Sequence, residues 1–542
     1  MGRSRRLPLI LAALALTLAA CGNSAAVRPP CPAGKVCLEA GNDAEPESLD
    51  PAKEAAVWED RIVGEMLIGL TQDDAAGRPV PAMATSWETS PDGLVWTFHL
   101  RQANWSDGVP VTADDFVFGL QRLLAPTTGS EYASLMYILK NGQAVNEGKA
   151  PGQALGVRAL DARTLQITLA HPAPYLPELA KHETMYPVPK HVVEKWGDAW
   201  VQPEHYVANG PYKLVEWKFG DYVRIAKNPA YYDADKICID RVDFYPTQDI
   251  TAAERRVRRG ELDLNTLIVP SRIAYLRRPD QAPAYVHVHT YLGTYYLILN
   301  THDVQALKDV RVRRALSMAV DRRFMTDKLL RAGYVPAYTF VPPGVDNYRN
   351  PPSPVWASWS FERRQAAARL LMVQAGYGPD HPLSLELKHF DSPDIARLMA
   401  SVQGDWRAIG VKTSLVQEES QIGYQDFRLR NFQAGFAAWI ADYNDAVSFL
   451  YLQQSATGQM NYGDYANPTY DALLAKADLE PDPVKRGDYL SKAERIMVND
   501  APIIPIYYAI SRNLVNPRIT GWVDNIVDWH RLRYLCMKPA GG

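Results

Sequence analysis

Hydrophobic and polar side chains alternate along several short stretches of this chain, and a period of two residues predicts β-strands with one buried face. Residues 94–101 alternate in this way, and the turn sequence Ser-Pro-Asp-Gly at 90–93 separates them from a shorter stretch at 87–89. This arrangement predicts a β-hairpin. A further alternating stretch, 163–170, predicts another strand. The side chains predicted to face the core are Leu94, Trp96, Phe98, Leu100, Leu165, Ile167 and Leu169.

Two other stretches have the spacing of amphipathic helices. One covers residues 113–124 and begins after a capping residue, Thr112; the other covers 361–374, begins after Ser360 and ends before Gly376. Strands and helices neither alternate strictly nor form separate blocks, so the pattern predicts α/β lobes. A composition of 47% hydrophobic and 22% charged residues is typical of a large globular protein with two or more lobes.

The N-terminus has the features of a secretory signal. Three arginines precede an uncharged run over residues 7–20, and Cys21 follows. A membrane span would need about 20 apolar residues, whereas residues 18–21, Leu-Ala-Ala-Cys, are similar to the lipobox of bacterial lipoproteins. We therefore predict a signal peptide at 1–20 and a lipid-anchored Cys21 that begins a flexible tether at 21–37. A signal-peptidase site without lipid on Cys21 is the alternative.

Four further cysteines remain in the exported protein, and an oxidising compartment favours disulfide bonds. They allow three pairings, of which we favour Cys31 with Cys37 and Cys238 with Cys536. The first would close a small loop just after the anchor. The second would tie the C-terminus to the middle of the chain, so both of its ends would belong to one lobe. No cysteine spacing indicates a zinc site.

Charge and motifs argue against several classes of function. The net charge of −3 gives no basic field for nucleic acid, and the basic cluster at 255–259 has the pattern of a solvated helix face. The sequence has no GxSxG, P-loop or GxGxxG motif, so we predict that the chain is not an enzyme, and a secreted hydrolase is a distant alternative. His287 and His289 lie two residues apart, as metal ligands on one strand face can. Because no third ligand lies nearby in the sequence, we favour an exposed strand face and predict no metal and no cofactor.

Asp442 is the most distinctive candidate for a binding residue. It directly follows the apolar stretch 436–441, which predicts a buried strand. A carboxylate in that position needs a partner, because burial of an unpaired charge is unfavourable. The partner can be a ligand, a cationic side chain, or the backbone of the following helix.

Six short stretches add a further pattern. They are 45–51 (EPESLDP), 95–101 (VWTFHLR) with 105–108 (WSDG), 132–134 (YAS), 209–212 (NGPY), 309–313 (DVRVR) and 439–444 (WIADYN). In this order they resemble the periplasmic oligopeptide-binding proteins of peptide ABC importers, and the similarity runs from about residue 40 to the end. The resemblance implies two α/β lobes joined by a hinge, with an extra domain on the first lobe. We place lobe I at 38–67, 192–292 and 510–542, the extra domain at 68–191, and lobe II at 293–509.

The resemblance also implies roles for individual residues. Asp442 would pair with the α-ammonium of a peptide held extended between the lobes, and Tyr132 would complete the pocket around that end. The protein would bind the peptide backbone by strand addition, which is independent of the peptide sequence. The other predicted ligand-binding residues are Val57, Tyr296, Arg428, Ala438, Trp439 and Ile440.

Several positions depart from the family pattern. Where well-known peptide receptors have cationic residues that meet the peptide carboxylate, this chain has Leu330, Ala396 and Phe436, which cannot donate to a carboxylate. Where relatives have a disulfide bond, it has Gly293 and Ile440. The neighbouring cations that are candidate substitutes at the carboxylate end are Arg331, Lys388, Arg428 and Arg430.

These observations predict a monomeric, lipid-anchored receptor in the periplasm or at the cell surface. It would capture oligopeptides and deliver them to the transmembrane subunits of an ABC permease. Because of the departures at the carboxylate end, the first alternative is a receptor of the same class for a non-peptide or modified-peptide solute, such as a murein peptide, a metal chelate or an antibiotic.

Overall fold

The computed structural model describes residues 30–54 and 56–538, apart from the side chain of Gln421. The predicted signal peptide, Cys21 and most of the predicted tether lie outside the described residues. Within them, every helix is too short or too polar to cross a membrane.

One large mixed sheet dominates the described part of the chain. Its strand order is β15-β14-β16-β12-β17-β11-β1-β10-β9-β8, with β13 paired to β17; smaller sheets are formed by β4-β5-β7-β6, β2-β3 and β18-β19. The strands are β1 Cys37–Gly41, β2 Thr71–Asp73, β3 Pro79–Pro81, β4 Ala84–Thr89, β5 Val95–Leu100, β6 Val157–Asp161, β7 Thr164–Thr168, β8 Tyr212–Lys218, β9 Tyr222–Lys227, β10 Arg241–Tyr245, β11 Leu264–Asn265, β12 Val286–Leu299, β13 Val335–Pro336, β14 Leu383–Phe390, β15 Val411–Glu418, β16 Ala434–Ile440, β17 Ile503–Val515, β18 Ile519–Thr520 and β19 Cys536–Met537.

The four-stranded sheet confirms the predicted hairpin. Strands β4 and β5 pair antiparallel, and β7 adds to the other edge of β5. All the side chains predicted to face the core are buried except Leu94, which is half-buried. The period of two therefore identified the buried face of this sheet correctly.

Both predicted helices are present. Ser360 caps α11 as predicted, because its hydroxyl accepts the backbone N–H of Arg363 at 3.3 Å. At α2 the cap differs in detail: the carboxylate of Asp115 reaches back to the backbone N–H of Thr112 at 2.8 Å. The helices are α1 Val57–Met66, α2 Ala113–Leu123, α3 Gly142–Asn146, α4 Leu176–Leu179, α5 Lys190–Trp196, α6 Ile250–Arg258, α7 Pro270–Leu276, α8 Gln305–Lys308, α9 Val310–Ala319, α10 Arg322–Phe324, which continues as a π-helix over Met325–Leu330, α11 Phe361–Gln374, α12 Pro393–Arg407, α13 Ser420–Arg428, α14 Val447–Leu450, α15 Pro468–Asp478 and α16 Pro483–Asp500.

Two large hydrophobic cores lie on either side of the central strands. The first draws on residues between Leu38 and Leu264 and on the C-terminal segment from Val515 to Leu535. The second draws almost entirely on residues between Leu292 and Tyr507. This is the α/β architecture with two lobes that the sequence predicts. The individual domain boundaries given above stay a prediction.

The long antiparallel strands β12 and β17 connect the two cores. Their pairing is interrupted, because Thr290 opposes Ile510 whereas Thr294 opposes Tyr508. Three residues of β12, 291–293, therefore bulge opposite a single residue of β17. The interruption lies between Val288, which packs against a third, smaller core, and Leu292 of the second core.

The structure pairs Cys31 with Cys37 and Cys238 with Cys536, with Cα–Cα distances of 5.8 and 5.2 Å. The second bond fastens β19 to the segment that precedes β10. The last strand of the chain is thus held against the first core.

Candidate functional site

A cavity of about 390 Å³ lies between the two cores. Four segments form most of its wall: the start of α1, residues 178–183 from the end of α4 onward, residues 440–444 from the end of β16 onward, and residues 527–531 near the C-terminus. Asp73, Tyr132, Tyr291 and Leu292 complete the wall. A concave site between two lobes is a common position for a small-molecule or peptide site.

Asp442 lines this cavity two residues after Ile440, the last residue of β16. Water reaches its carboxylate, yet protein surrounds it closely enough that desolvation raises its pKa to about 6. Among the described residues no lysine, arginine or histidine forms an ion pair with it; its own backbone amide is the one hydrogen-bonding group that lowers its pKa. The carboxylate therefore remains available for a ligand cation.

A group of carboxylates lies in and behind the part of the cavity wall that the first core forms. Asp60 lies one turn after Val57 on α1, and its carboxylate is paired with Arg531 at 3.1 Å. Burial and the neighbouring Asp60 raise the pKa of Glu183 well above its usual value. Behind them, Glu54 is 2% exposed, and neither of its carboxylate oxygens has a hydrogen-bond partner among the described residues. Burial, followed by the charge of Glu183, raises the pKa of Glu54 as well.

The cavity wall has fewer cationic side chains than carboxyl groups. Lys181 is fully engaged, because its ammonium lies 2.7 Å from Asp73 and 3.0 Å from Glu178. Burial lowers the pKa of His182 to about 4, so this ring is neutral at pH 7. The cavity wall therefore carries five carboxyl groups, of Asp60, Asp73, Glu178, Glu183 and Asp442, against two cations, Lys181 and Arg531. Burial raises the pKa of Glu178 to about 7 and that of Glu183 well above its usual value, so these two groups are not fully charged at pH 7. The negative charge that Lys181 and Arg531 do not balance therefore lies mainly on Asp442, which favours a cationic group of a ligand.

Four of the predicted binding residues line the cavity: Val57, Tyr132, Ile440 and Asp442. Tyr132 packs beside His182, with 5.4 Å between ring centroids. Burial, then the charges of Glu183 and Asp442, raises the pKa of Tyr132 to about 12. The residues that sequence reasoning connected with the amino end of a ligand are thus brought together in space, and their individual roles remain a proposal.

The other predicted binding residues lie elsewhere. Tyr296 is 2% exposed in the second core, where its ring meets Phe340 edge to face at 4.9 Å, so its side chain is not on the cavity wall. Arg428 is exposed at the end of α13, also away from the cavity wall. Ala438 and Trp439 are half-buried on β16 beside Ile440. The indole N–H of Trp439 is buried and has no hydrogen-bond partner among the described residues.

The four candidate cations for the far end of a ligand differ in availability. Lys388 is held between Glu418, at 2.8 Å, and Asp426. Arg430 is paired with Asp464 at 2.5 Å. Arg331 is exposed and donates to the carbonyl of Lys328 at 2.9 Å. Among the described residues no hydrogen bond or ion pair engages Arg428, so it is the most available of the four.

Comparison with known proteins identifies the family. The model for bacterial extracellular solute-binding proteins, family 5 Middle, matches residues 78–461. The chain belongs to this family. The predicted resemblance to oligopeptide-binding proteins is therefore confirmed at the level of the family.

Relatives agree with the family 5 assignment. The periplasmic oligopeptide-binding protein OppA of Salmonella typhimurium is 36% identical over 517 residues, which cover 93% of this chain and 94% of that protein. The periplasmic murein tripeptide-binding protein MppA, in its unliganded open form, is 35% identical with a TM-score of 0.86, covering 93% of this chain and 98% of that one. Haemophilus influenzae OppA in complex with RPPGFSPFR is 32% identical with a TM-score of 0.72, covering 93% and 99%.

One departure from the family 5 pattern has a clear structural basis. Gly293 and Ile440 are register partners across β12 and β16. A Cβ atom built on Gly293 would lie only 2.2 Å from the Cδ1 atom of Ile440. The isoleucine side chain therefore occupies the space that Gly293 leaves free, and the two residues are complementary in volume.

Sequence reasoning missed the C-terminal part of the wall of this family 5 protein. Val527, Trp529 and Arg531 line the cavity, whereas Asp528 and His530, between them, do not. An alternation of this kind is visible in the sequence, but nothing local indicates that these residues face Asp60 and Asp442. The position of Asp60, three residues after Val57 on a helix, is the one signal that could have extended the predicted site.

Proposed function

We propose that this protein is a receptor that captures oligopeptides with a free α-amino group and delivers them to an ABC permease, without catalysis. The observation that carries the proposal is the unpaired carboxylate of Asp442 in a cavity with an excess of acidic groups. An α-ammonium is a compact cation of the right charge. The relatives' names, an oligopeptide-binding protein and a murein tripeptide-binding protein, support this class of ligand.

The edge of β16 offers backbone groups for an extended peptide. Strand β16 pairs with β12 along its whole length, but with β14 only at Ala434 and Gly435. Residues 436–440 thus have no strand partner on the β14 side, and the Tyr424 hydroxyl contacts the backbone of Ala438 there at 3.3–3.4 Å. A peptide added antiparallel to this edge would place its amino end near Asp442, which supports strand addition as the binding mode.

Closure of the two lobes would complete the site. The greater similarity to an unliganded open form than to a peptide complex supports an open arrangement here. Bending at the bulge in β12 would bring the wall around Asp442 against the wall around Asp60. A ligand drives such a closure only through contacts that are better in the closed state. We further propose that Cys21 carries lipid, which would keep the receptor close to its permease and raise the local concentration.

We expect the affinity for a trialanine peptide to fall as the pH decreases from 7 to 5. Asp442 has a pKa of about 6 without ligand, and pairing with an ammonium lowers it, so binding below pH 6 requires loss of a proton. Affinity is therefore nearly full at pH 7, about halved at pH 6 and about tenfold lower at pH 5. Isothermal titration calorimetry at several pH values measures this change. The same series on Asp442→Asn is the control, because that variant should lose the pH dependence assigned to Asp442.

We expect Arg428→Ala to weaken binding of a trialanine peptide with a free carboxylate by up to about tenfold, as for other solvent-exposed ion pairs. The same variant should bind the C-terminally amidated peptide as wild type does. Arg331→Ala is the matched control, since it removes another exposed arginine. If amidation leaves the wild-type affinity unchanged, the peptide carboxylate is not recognised. That result would favour a non-peptide or modified-peptide solute, the alternative suggested by Leu330, Ala396 and Phe436.

The proposal as a whole is tested by incubating the purified full chain with a mixed peptide library and analysing what is retained by mass spectrometry. Intact peptides with free amino termini are the expected result. Retention of a different small molecule would show that the ligand is another solute. Release of cleaved peptides would contradict a receptor without catalysis.

A further inference from the structure

The two histidines that sequence reasoning singled out on one strand face acquire partners in the folded chain. His287 and His289 on β12 face the C-terminal segment 522–530. There the Nε2 atom of His289 lies 3.6 Å from the carboxylate of Asp528, and the Nε2 atom of His530 lies 2.9 Å from the same oxygen. Asp528 and His530 are therefore further candidate ligands beside His289, which the sequence did not reveal.

From this geometry we propose that His289, Asp528 and His530 form a binding site for a divalent transition-metal ion of the zinc class. Potential ligand atoms of the three residues all lie within 4.8 Å of one another. Zinc bonds of about 2.0–2.1 Å in a tetrahedron separate ligand atoms by about 3.3 Å. The distances of 2.9 and 3.6 Å lie on either side of that value, so small side-chain rotations suffice. The Nε2–H group of His530 donates to Asp528 without metal, so metal binding would move this proton to Nδ1 through solvent.

The donor set selects the class of metal. Two imidazoles with one carboxylate suit zinc and its neighbours, whereas calcium and magnesium prefer sites made of oxygen atoms alone. The fourth position would be taken by water or by Asp524, whose carboxylate lies 3.9 Å from Nε2 of His289 and 3.0 Å from His287. A cavity of about 40 Å³ beside Asp528 and His530 has room for a water ligand.

The surrounding groups orient the ligands as the outer shell of a metal site does. The Nδ1 atom of His289 lies 3.1 Å from the carbonyl oxygen of Thr290, which can only accept, so the proton is on Nδ1 and the Nε2 lone pair points toward the site. The hydroxyl of Ser511 contacts Nε2 at 2.7 Å and would be displaced by the ion. Asn513 donates to Asp528 at 2.7 Å. The His530 ring is stacked on Trp522, with 3.6 Å between centroids.

The side chains are sheltered but reachable, with exposed fractions of 14% for His289, 17% for Asp528 and 6% for His530. The ion would link β12, one residue before its interruption at Thr290, to the segment that carries Val527, Trp529 and Arg531. It would thus be bound on the reverse side of the cavity wall, at the junction of the two cores.

The experiment titrates the metal-free full chain with ZnCl₂ alone, without peptide, by calorimetry. We expect one Zn²⁺ per chain, and loss of this binding in His289→Gln, Asp528→Asn and His530→Gln. Asn513→Ala, which removes a supporting hydrogen bond, should weaken binding by about 10- to 100-fold. The matched control is His302→Gln, which removes an exposed histidine paired with Asp464 elsewhere on the surface and should bind as wild type does.

X-ray absorption of the zinc-loaded wild-type chain gives a readout that requires no variant to fold. Two imidazole nitrogens and oxygen donors at bonding distance are expected. An absence of zinc uptake by the wild-type chain, uptake unchanged in His289→Gln and His530→Gln, or a ligand sphere without imidazole would each overturn the proposal. Because no peptide is present, failure here is distinct from failure of the proposed receptor function.

Discussion

Replacement of Asp442 by alanine is expected to weaken the binding of a peptide with a free amino terminus by about 2–5 kcal/mol, or roughly 30-fold to several-thousand-fold. The loss is large because the closed site would leave the α-ammonium away from water without its counter-charge. No cation of the described chain pairs with Asp442, so its removal leaves no protein charge unpaired. The effect should therefore appear in ligand affinity and not in the melting temperature.

A double-mutant cycle separates the ion pair from other effects. Affinities of wild type and Asp442→Ala are measured by calorimetry for one peptide and for its N-acetylated form. Acetylation should cost wild type about as much as the substitution does, and should cost the variant little. Equal effects of acetylation on both proteins would show that the ammonium is bound elsewhere.

Replacement of Arg531 by alanine is expected to lower the free energy of unfolding by about 3–5 kcal/mol, the usual effect of removing one partner of a buried ion pair. Arg531 is buried in the first core, where its guanidinium contacts Asp60 at 3.1 Å and lies 3.8 Å from Asp73. Removal of Arg531 leaves the carboxylates of Asp60 and Asp73 without its positive charge. Thermal unfolding measures the change in the transition of the first core.

The loss of unfolding free energy in Arg531→Ala should be larger at high pH than at low pH. Burial already raises the pKa of Glu65 and Glu183, and the charge of Arg531 lowers both values, so its removal raises them further. Groups whose pKa is raised in the folded state favour folding at low pH, and this contribution is lost as the pH rises. The variant should therefore be closer to wild type at pH 5 than at pH 8.

The matched control for Arg531→Ala is Arg78→Ala, which breaks an exposed pair with Asp74 at 2.7 Å. It should change the unfolding free energy by no more than about 1 kcal/mol. Similar effects of the two substitutions would mean that Arg531 is not the central counter-ion of the carboxylate group.

Local patterns in the sequence predicted local structure well. The hairpin β4–β5, strand β7, and helices α2 and α11 follow from alternation, helical spacing and capping residues that lie close together in the chain. Asp442 was found in the same way, because it directly follows an apolar strand. The side chain of Tyr296 lies in the second core and not on the cavity wall, which the sequence did not reveal, since adjacent residues of a strand face opposite sides and the bulge at 291–293 shifts the register.

Long-range contacts account for most of what the sequence did not reveal. Arg531 and Asp60 are 471 residues apart, and His287 and Asp524 are 237 residues apart. The excess of carboxylates in the cavity and the proposed metal site both depend on such pairs. No periodicity or motif connects residues across these distances, since the pairing is set by how β12, β17 and the C-terminal segment pack.

The distribution of the two cores along the chain has a consequence for the order of folding. Almost all of the second core comes from one continuous stretch, whereas the first includes Val515, Ile519, Leu532 and Leu535 from the last thirty or so residues. A chain that emerges from its N-terminus can complete the second core while the first still lacks its final strands. The first core, and with it the binding cavity, can close only after residues 515–535 have been made.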